Sequence, residues 1–127
     1  MLFFRVMIVE DNREAAESLA ALLRTWGYEV RTAYDAPSAL ADVEPFLPDV
    51  ILSDLKMPGM SGCTLAAKLA GQGVLLVATT AYGDDASRKE SRAAGFHEHL
   101  LKPLDLEVLH ALLEGHRQGS RNRGSLI

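Results

Sequence analysis

Residues 48–62 read PDVILSDLKMPGMSG, and this stretch decides the expected fold. A short apolar run between Pro48 and Pro58 is typical of a β-strand that is buried on both faces. Asp54 falls where the run ends, and ligands of open α/β sheets gather outside the carboxyl ends of the strands. An aspartate at a strand end is more often a turn former or a helix cap. Asp54 is therefore a candidate functional residue only if other polar side chains lie at the same edge of the sheet.

Strands and helices alternate along the rest of the chain. The pattern predicts further strands over 4–9, 28–34, 74–78 and 96–101, and helices over 35–46, 63–70, 84–94 and 105–114, with one more carrying Leu19, Leu22, Leu23 and Trp26. Such alternation favours an α/β fold, a parallel sheet with helices on both faces. The Gly-, Ser- and Arg-rich end divides the chain into a domain over 1–114 and a flexible basic tail over 115–127.

Composition excludes several classes of protein. A chain of 127 residues is one domain, and its net charge of −4 argues against direct nucleic-acid binding. We expect no membrane insertion, because no apolar run approaches a span and the acids at Glu10 and Asp11 follow the N-terminus too closely for a signal peptide. Cys63 is the only cysteine, which excludes an internal disulfide and suits a cytoplasmic location.

The polar candidates all stand where a predicted strand ends. They are Glu10, Asp11, Asp54, Thr80 and Lys102. Strands of a parallel sheet end at one edge, so these side chains are expected to converge there. Three carboxylates repel one another, and an all-oxygen set with few protein ligands suits Mg²⁺. Lys102 adds an ammonium that is able to pair with Asp54 or with a phosphoryl oxygen, and Thr80 adds a hydroxyl donor. Together with the carboxylates and Mg²⁺, these groups indicate phosphoryl transfer to an aspartate.

Four segments in order make a more specific pattern than any one of them: IVEDN at 8–12, VILSDLKMPGMSG at 50–62, ATTAYG at 78–83 and AGFHEHLLKP at 94–103. Along about residues 4–114 the chain resembles the receiver domain of two-component response regulators. The resemblance implies a doubly wound five-stranded parallel sheet with the flavodoxin-like order 2-1-3-4-5.

The resemblance also implies a role for each candidate. Asp54 would be the phosphoacceptor. Asp11, Asp54 and the backbone carbonyl of Lys56 would bind Mg²⁺ directly, and Glu10 would act through a water molecule. The phosphoryl oxygens would be held by two side chains, Thr80 and Lys102.

Receivers usually carry Tyr or Phe three positions before the lysine, as a switch that works with the threonine. This chain has His99 there. We expect His99 either to act as a switch together with Thr80 or to be an ordinary histidine at a strand end. Pro103, directly after Lys102, is expected to follow a cis peptide bond.

The function expected from this resemblance is a phosphorylation-driven switch. The chain would accept a phosphoryl group from a histidine kinase or a phosphotransfer protein, and would catalyse only its own phosphorylation and dephosphorylation. Its output would be a protein target that docks on the face formed by helix 84–94, strand 96–101 and helix 105–114. A stand-alone regulator and a domain of a hybrid histidine kinase both remain open.

Three other functions deserve comparison. A haloacid-dehalogenase-like phosphatase also uses a nucleophilic Asp and Mg²⁺, but carries a second Asp two residues later, where this chain has Lys56. A nucleotide-binding fold requires G-x-G-x-x-G after the first strand, where this chain has EDNRE at 10–14. A receiver-like module that binds partners without phosphorylation is the third alternative.

Overall fold

The computed structural model describes residues 3–125, with side chains described as far as residue 119. Strands and helices alternate throughout this range. The strands are β1 (Arg5–Val9), β2 (Glu29–Ala33), β3 (Val50–Asp54), β4 (Leu75–Thr80) and β5 (Glu98–Leu101). The helices are α1 (Arg13–Thr25), α2 (Ala36–Phe46), α3 (Gly62–Leu69), α4 (Asp85–Ala94) and α5 (Leu106–Ser125).

All five strands lie in one parallel sheet with the order β2-β1-β3-β4-β5. The predicted fold is confirmed, including the position of β2 at an edge. The central strand β3 pairs with β1 on one side and with β4 on the other. Because β3 is enclosed on both sides, Asp54 at its end faces the loops that follow both neighbouring strands.

The sheet divides the apolar core into two layers. Successive residues of a strand point to opposite faces, so β1 sends Val6 and Ile8 to one layer and Met7 and Val9 to the other. The first layer also holds the buried residues of α1 and α5, and the second holds those of α2 and α3. Each aliphatic side chain buried in this way contributes roughly 1.5–3 kcal/mol to stability. The strands, and hence the edge where they end, are held from both faces.

Capping side chains fix where each of the five helices begins. The Asn12 side chain accepts a hydrogen bond from the backbone N–H of Ala15 at 3.0 Å, which sets the loop carrying Glu10 and Asp11. Equivalent caps begin α2, α3, α4 and α5, at Asp35, Ser61, Asp84 and Asp105. Each cap satisfies a donor that the first helical turn leaves free. The loops at the strand ends are therefore held in place by local hydrogen bonds.

The predicted end of the last helix at residue 114 is wrong, because α5 continues to Ser125. Glu114 accepts a hydrogen bond from the hydroxyl of Tyr28 and pairs with Arg117 at 2.7 Å, and the ring of His116 lies 5.9 Å from that of Phe4. These contacts stabilise α5 beyond residue 114 and oppose the helix penalty of its glycines, about 1 kcal/mol each. The division into a domain and a flexible basic tail stays a prediction, and residues 126–127 lie outside the described residues.

Some smaller predictions also need correction. The leucine spacing of the last helix predicts a core stripe that includes Leu106, but Leu106 is 45% exposed, whereas Leu109 and Leu113 are fully buried. β5 begins at Glu98 instead of residue 96, whereas α2 ends at Phe46 as predicted, with Pro45 inside its last turn. None of the helices within residues 3–125 combines the length and apolar character needed to cross a bilayer.

Candidate functional site

The ends of four strands bring the predicted site residues to one edge of the sheet. Asp54 is the partner of Thr79 in the β3–β4 register, so Thr80 follows one position beyond it. The backbone N–H of Lys102 donates to the carbonyl of Thr80 at 2.7 Å, which aligns the residue after β5 with the end of β4. The peptide bond between Lys102 and Pro103 is cis, as predicted.

Glu10, Asp11 and Asp54 form an acidic group in which one carboxylate oxygen from each residue lies within 4.8 Å of the others. Asp11 is exposed, whereas the side chains of Glu10 and Asp54 are only 12% and 15% exposed. The hydrogen bond that Asp11 shares with Glu10, then burial and the charges of Glu10 and Asp54, raise the pKa of Asp11. The crowded negative charge makes this group a candidate site for a cation.

Lys102 is the positive member of this group. Its Nζ atom donates to Glu10 Oε1 at 2.7 Å and to Asp54 Oδ2 at 3.2 Å. Burial disfavours the ammonium, but these two carboxylates outweigh it and raise the pKa of Lys102. Burial likewise raises the pKa of Glu10, yet the bonds from Lys102 and from the Asn12 N–H leave it below its ordinary value. Sequence reasoning paired Lys102 with Asp54 and missed the shorter contact to Glu10.

The loop between β3 and α3 passes close to Asp54. The backbone N–H of Lys56 donates to Asp54 Oδ1 at 3.3 Å, so this loop presents a donor to the carboxylate. At Gly62 a Cβ atom would lie 2.1 Å from the backbone oxygen of Asp54. A cavity of about 580 Å³ opens beside this loop and extends along α4, lined by residues that include Lys56, Thr80, Tyr82 and Glu90.

Thr80 is almost fully buried, and its Oγ1 atom accepts a hydrogen bond from the backbone N–H of Tyr82 at 3.1 Å. Since Oγ1 is the acceptor there, the hydroxyl proton of Thr80 is available to another oxygen. The ring of Tyr82 lies beneath the ammonium of Lys56, 4.1 Å from Nζ to the ring centroid. Tyr82 therefore joins the loop after β4 to the loop after β3.

His99 lies apart from the acidic group. Its half-buried ring places Nδ1 3.0 Å from Ser91 Oγ and Nε2 3.0 Å from the carbonyl oxygen of Tyr82. Sequence reasoning singled out neither Tyr82 nor Ser91. Ser91 left a signal, because it shares helical spacing with Ser87 and Ala94 in a helix whose other side chains are mostly charged.

Comparison with known proteins decides the family. The model of the family described as "Response regulator receiver domain" matches residues 6–114, which is most of the chain. The chain belongs to the response regulator receiver family. It is a receiver domain of two-component signal transduction, and the predicted strand order is that of this family. The phosphatase alternative is not favoured.

Individual relatives of this receiver domain agree with that assignment. "Response regulator PleD" of Caulobacter vibrioides is 40% identical over 114 residues, which cover 84% of this chain and 24% of PleD. "Sensory transduction protein RegX3" of Mycolicibacterium smegmatis is 35% identical over 119 residues, covering 92% of this chain and 52% of RegX3. The chain thus spans between about a quarter and about a half of these two proteins.

Among solved structures, the receiver domain is similar to the Vibrio cholerae chemotaxis protein CheY4. The TM-score is 0.83 and the identity 29%, and the match covers 89% of this chain and 98% of that one. The similarity therefore includes nearly the whole of the CheY4 chain.

Proposed function

We propose that Asp54 accepts a phosphoryl group from a histidine kinase or a phosphotransfer protein. The observation that carries this proposal is the position of the Asp54 carboxylate, within 4.8 Å of the carboxylates of Glu10 and Asp11 and 3.2 Å from the Lys102 ammonium. Acids and one cation at the end of a central strand supply the nucleophile and most of the charge neutralisation that phosphoryl transfer requires.

The residues of this site also fit Mg²⁺. All candidate ligands are hard oxygen donors. The pKa of Asp11 is raised first by its hydrogen bond with Glu10, and the nearby charges of Glu10 and Asp54, which a cation would offset, add to the shift. Asp11, Asp54 and the backbone carbonyl of Lys56 would hold the ion, and Glu10 would act through a water molecule. When bound, Mg²⁺ would neutralise charge on the phosphoryl oxygens.

In the proposed transfer, a carboxylate oxygen of Asp54 attacks the phosphorus of a phosphohistidine. A P–O bond forms, the P–N bond breaks, and a proton is taken up by the leaving imidazole nitrogen. Lys102, already 3.2 Å from Asp54 Oδ2, would pair with a phosphoryl oxygen, and Thr80 would donate its free hydroxyl proton to another. Hydrolysis of the aspartyl phosphate would restore the free carboxylate of Asp54 and release inorganic phosphate. The domain would thus catalyse only its own phosphorylation and dephosphorylation.

The charge added at Asp54 would change the conformation of the face formed by α4, β5 and α5, and a protein target would bind to that face. Exposed apolar side chains on and beside that face support this proposal, with Leu101 46% and Val108 49% exposed. The free thiol of Cys63 suits the reducing cytoplasm, which remains the proposed location.

Incubation with acetyl phosphate and Mg²⁺ tests this function. We expect one phosphoryl group per chain, stable in acid and labile in base, because an acyl phosphate is cleaved by hydroxide. Continuous release of phosphate at many turnovers would instead support the phosphatase alternative. A chain that takes up no label with Mg²⁺ present would support a module that binds without phosphorylation.

A further inference from the structure

A cavity of about 390 Å³, the α1–α5 cavity, lies between α1 and α5 on the face of the sheet that these two helices cover. Its walls are mostly apolar and are formed chiefly by the side chains of Ile8, Leu19, Leu22, Leu52, Leu104 and Leu106. Small-molecule sites in proteins are commonly cavities of roughly 300–1,000 Å³ with apolar walls and a few polar groups. The α1–α5 cavity has the size and the lining of such a site.

Short side chains on α1 leave this space open. Along the cavity the helix presents Ala15 and Ser18, which fill little of the gap toward α5. Leu106 borders the same space and is 45% exposed, although its helical spacing predicts a core position. A molecule bound in the α1–α5 cavity would therefore bury apolar surface that the chain itself leaves open to water.

Thr79 brings an unpaired hydroxyl to this cavity. The described residues include four buried polar side chains, those of Ser53, Thr79, Thr80 and Ser91. Ser53 and Ser91 donate to backbone carbonyl oxygens, and Thr80 accepts the N–H of Tyr82. Thr79 is only 6% exposed, yet no residue within 3–119, where side chains are described, forms a hydrogen bond with its hydroxyl. Buried hydroxyls usually have a partner, and the α1–α5 cavity is the space from which one can approach.

The charged groups at one end of the cavity are already paired with each other. Glu10 and Lys102 both line it, and Lys102 Nζ lies 2.7 Å from Glu10 Oε1. A ligand with a charge of either sign would have to compete with this partly buried ion pair, and breaking such a pair is costly. An uncharged ligand leaves the pair intact, so the charges of the cavity favour a neutral molecule.

We propose that the α1–α5 cavity binds a neutral, mostly apolar small molecule with one hydroxyl group, and that Thr79 is the hydrogen-bond partner of this hydroxyl. A cavity of about 150 Å³ holds one benzene molecule, so this one has room for roughly 15 non-hydrogen atoms, the size of a two-ring compound. The rings lie against the leucines, and the hydroxyl takes the place of a water molecule at Thr79. Binding requires neither phosphate nor Mg²⁺, so the proposal goes beyond the proposed function and does not rest on it.

Titration of the full chain with 2-naphthol, followed by amide chemical shifts, tests the site. We expect the amides of Thr79, Leu104 and Leu106 to shift and to reach saturation, with a Kd below about 1 mM. Naphthalene has the same rings without the hydroxyl. It should bind roughly 3- to 10-fold more weakly, which is the contribution of one hydrogen bond.

Thr79→Val separates the hydrogen bond from the shape of the cavity, because valine has nearly the shape of threonine and lacks the hydroxyl. In this variant we expect 2-naphthol to bind as weakly as naphthalene, and naphthalene to bind as it does to the unmodified chain. Valine also favours strands, so the variant should fold. Ala15→Leu fills part of the cavity and should weaken binding of both compounds. Ala21→Leu, at an exposed position of α1 that does not line the cavity, should weaken neither.

Three results would overturn the proposal. Shifts that stay linear up to about 1 mM would mean that water alone fills the cavity. Equal affinity of the two compounds for the unmodified chain, or 2-naphthol binding that Thr79→Val leaves unchanged, would mean that Thr79 does not recognise a hydroxyl. If Thr79→Val does not fold, the difference between the two compounds in the unmodified chain and the effect of Ala15→Leu decide the question. Saturable binding of 2-naphthol that both Thr79→Val and Ala15→Leu weaken supports the proposal.

Discussion

At Gly62 the backbone passes so close to Asp54 that no side chain fits. An added Cβ would lie 2.1 Å from the Asp54 carbonyl oxygen and 3.0 Å from the carbonyl carbon, both backbone atoms that move only with the strand end. The N–H of Gly62 also donates to the Leu55 carbonyl at 2.9 Å, which closes the loop over the site. Glycine is therefore required here by the close approach of two backbone segments.

Gly62→Ala should destabilise the fold by roughly 1–3 kcal/mol, because the backbone around Asp54 has to shift. We also expect slower phosphorylation by acetyl phosphate, since the carboxylate moves with the backbone. Urea unfolding and labelling rates measure the two effects. Gly115→Ala is the control, because an added Cβ there contacts nothing within 4 Å and should stabilise α5 by up to about 1 kcal/mol. Equal stability of the two variants would contradict the predicted clash.

At the scale of a single element, α5 is fixed on the sheet by polar contacts as well as by its leucines. The Tyr28 hydroxyl donates to Glu114, and Arg117 pairs with the same carboxylate at 2.7 Å. The bond from Tyr28 is the largest cause that lowers the pKa of Glu114, and the charge of Arg117 adds to it. A carboxyl with a lowered pKa in the folded chain stabilises the fold above its unfolded pKa, and that contribution is lost as the pH falls through the folded pKa.

Tyr28→Phe should therefore lower the free energy of unfolding by about 1 kcal/mol near neutral pH, where Glu114 is ionised. The difference from the unmodified chain should shrink as the pH falls below the ordinary Glu114 pKa of 4.5. Urea unfolding at several pH values measures it. Tyr34→Phe is the matched control, because its hydroxyl bonds the exposed Glu17 at 2.6 Å, and we expect a smaller loss there. A Tyr28→Phe difference that stays constant with pH would contradict the role of Glu114.

At the scale of the whole molecule, the fold was predictable because local sequence signals mark each strand and helix. Apolar runs, caps and turn glycines mark the elements, and their alternation leaves few topologies. The convergence of Asp11, Asp54 and Lys102 follows from that topology. Two features could not be predicted from the topology: the pairing of Lys102 with Glu10 and the continuation of α5 past residue 114. Both depend on contacts between residues that are far apart in sequence. The link from His99 to Ser91 was unpredictable for the same reason.

The molecule places its tryptophan far from the proposed metal site. Trp26 directly follows α1, a helix of 13 residues that begins two positions after Asp11 and is therefore about 20 Å long. Its ring contacts that of His110, with centroids 4.4 Å apart and the ring planes tilted by 31°. Trp26 fluorescence should thus report the contact of α1 with α5 and remain insensitive to events at the acidic group.

Mg²⁺ should bind weakly alone and more tightly with beryllofluoride, whose fluorides complete the coordination. Asp11→Ala should remove most of that affinity in calorimetric titrations, while Trp26 fluorescence stays unchanged as Mg²⁺ is added. His110→Ala provides the control, because loss of the neighbouring ring should alter the emission and so show that Trp26 can respond. Strong quenching of Trp26 by Mg²⁺ would contradict this placement of the site.

The most direct test of the central claim is to identify the phosphorylated residue. The chain is phosphorylated with acetyl phosphate and Mg²⁺, the acyl phosphate is reduced with borohydride, and the modified peptide is sequenced by mass spectrometry. The account predicts that the reduced residue is Asp54, that Asp54→Asn takes up no label because an amide is not a nucleophile, and that this variant stays folded. Reduction at Glu10 or Asp11, or undiminished labelling of a folded Asp54→Asn chain, would contradict it.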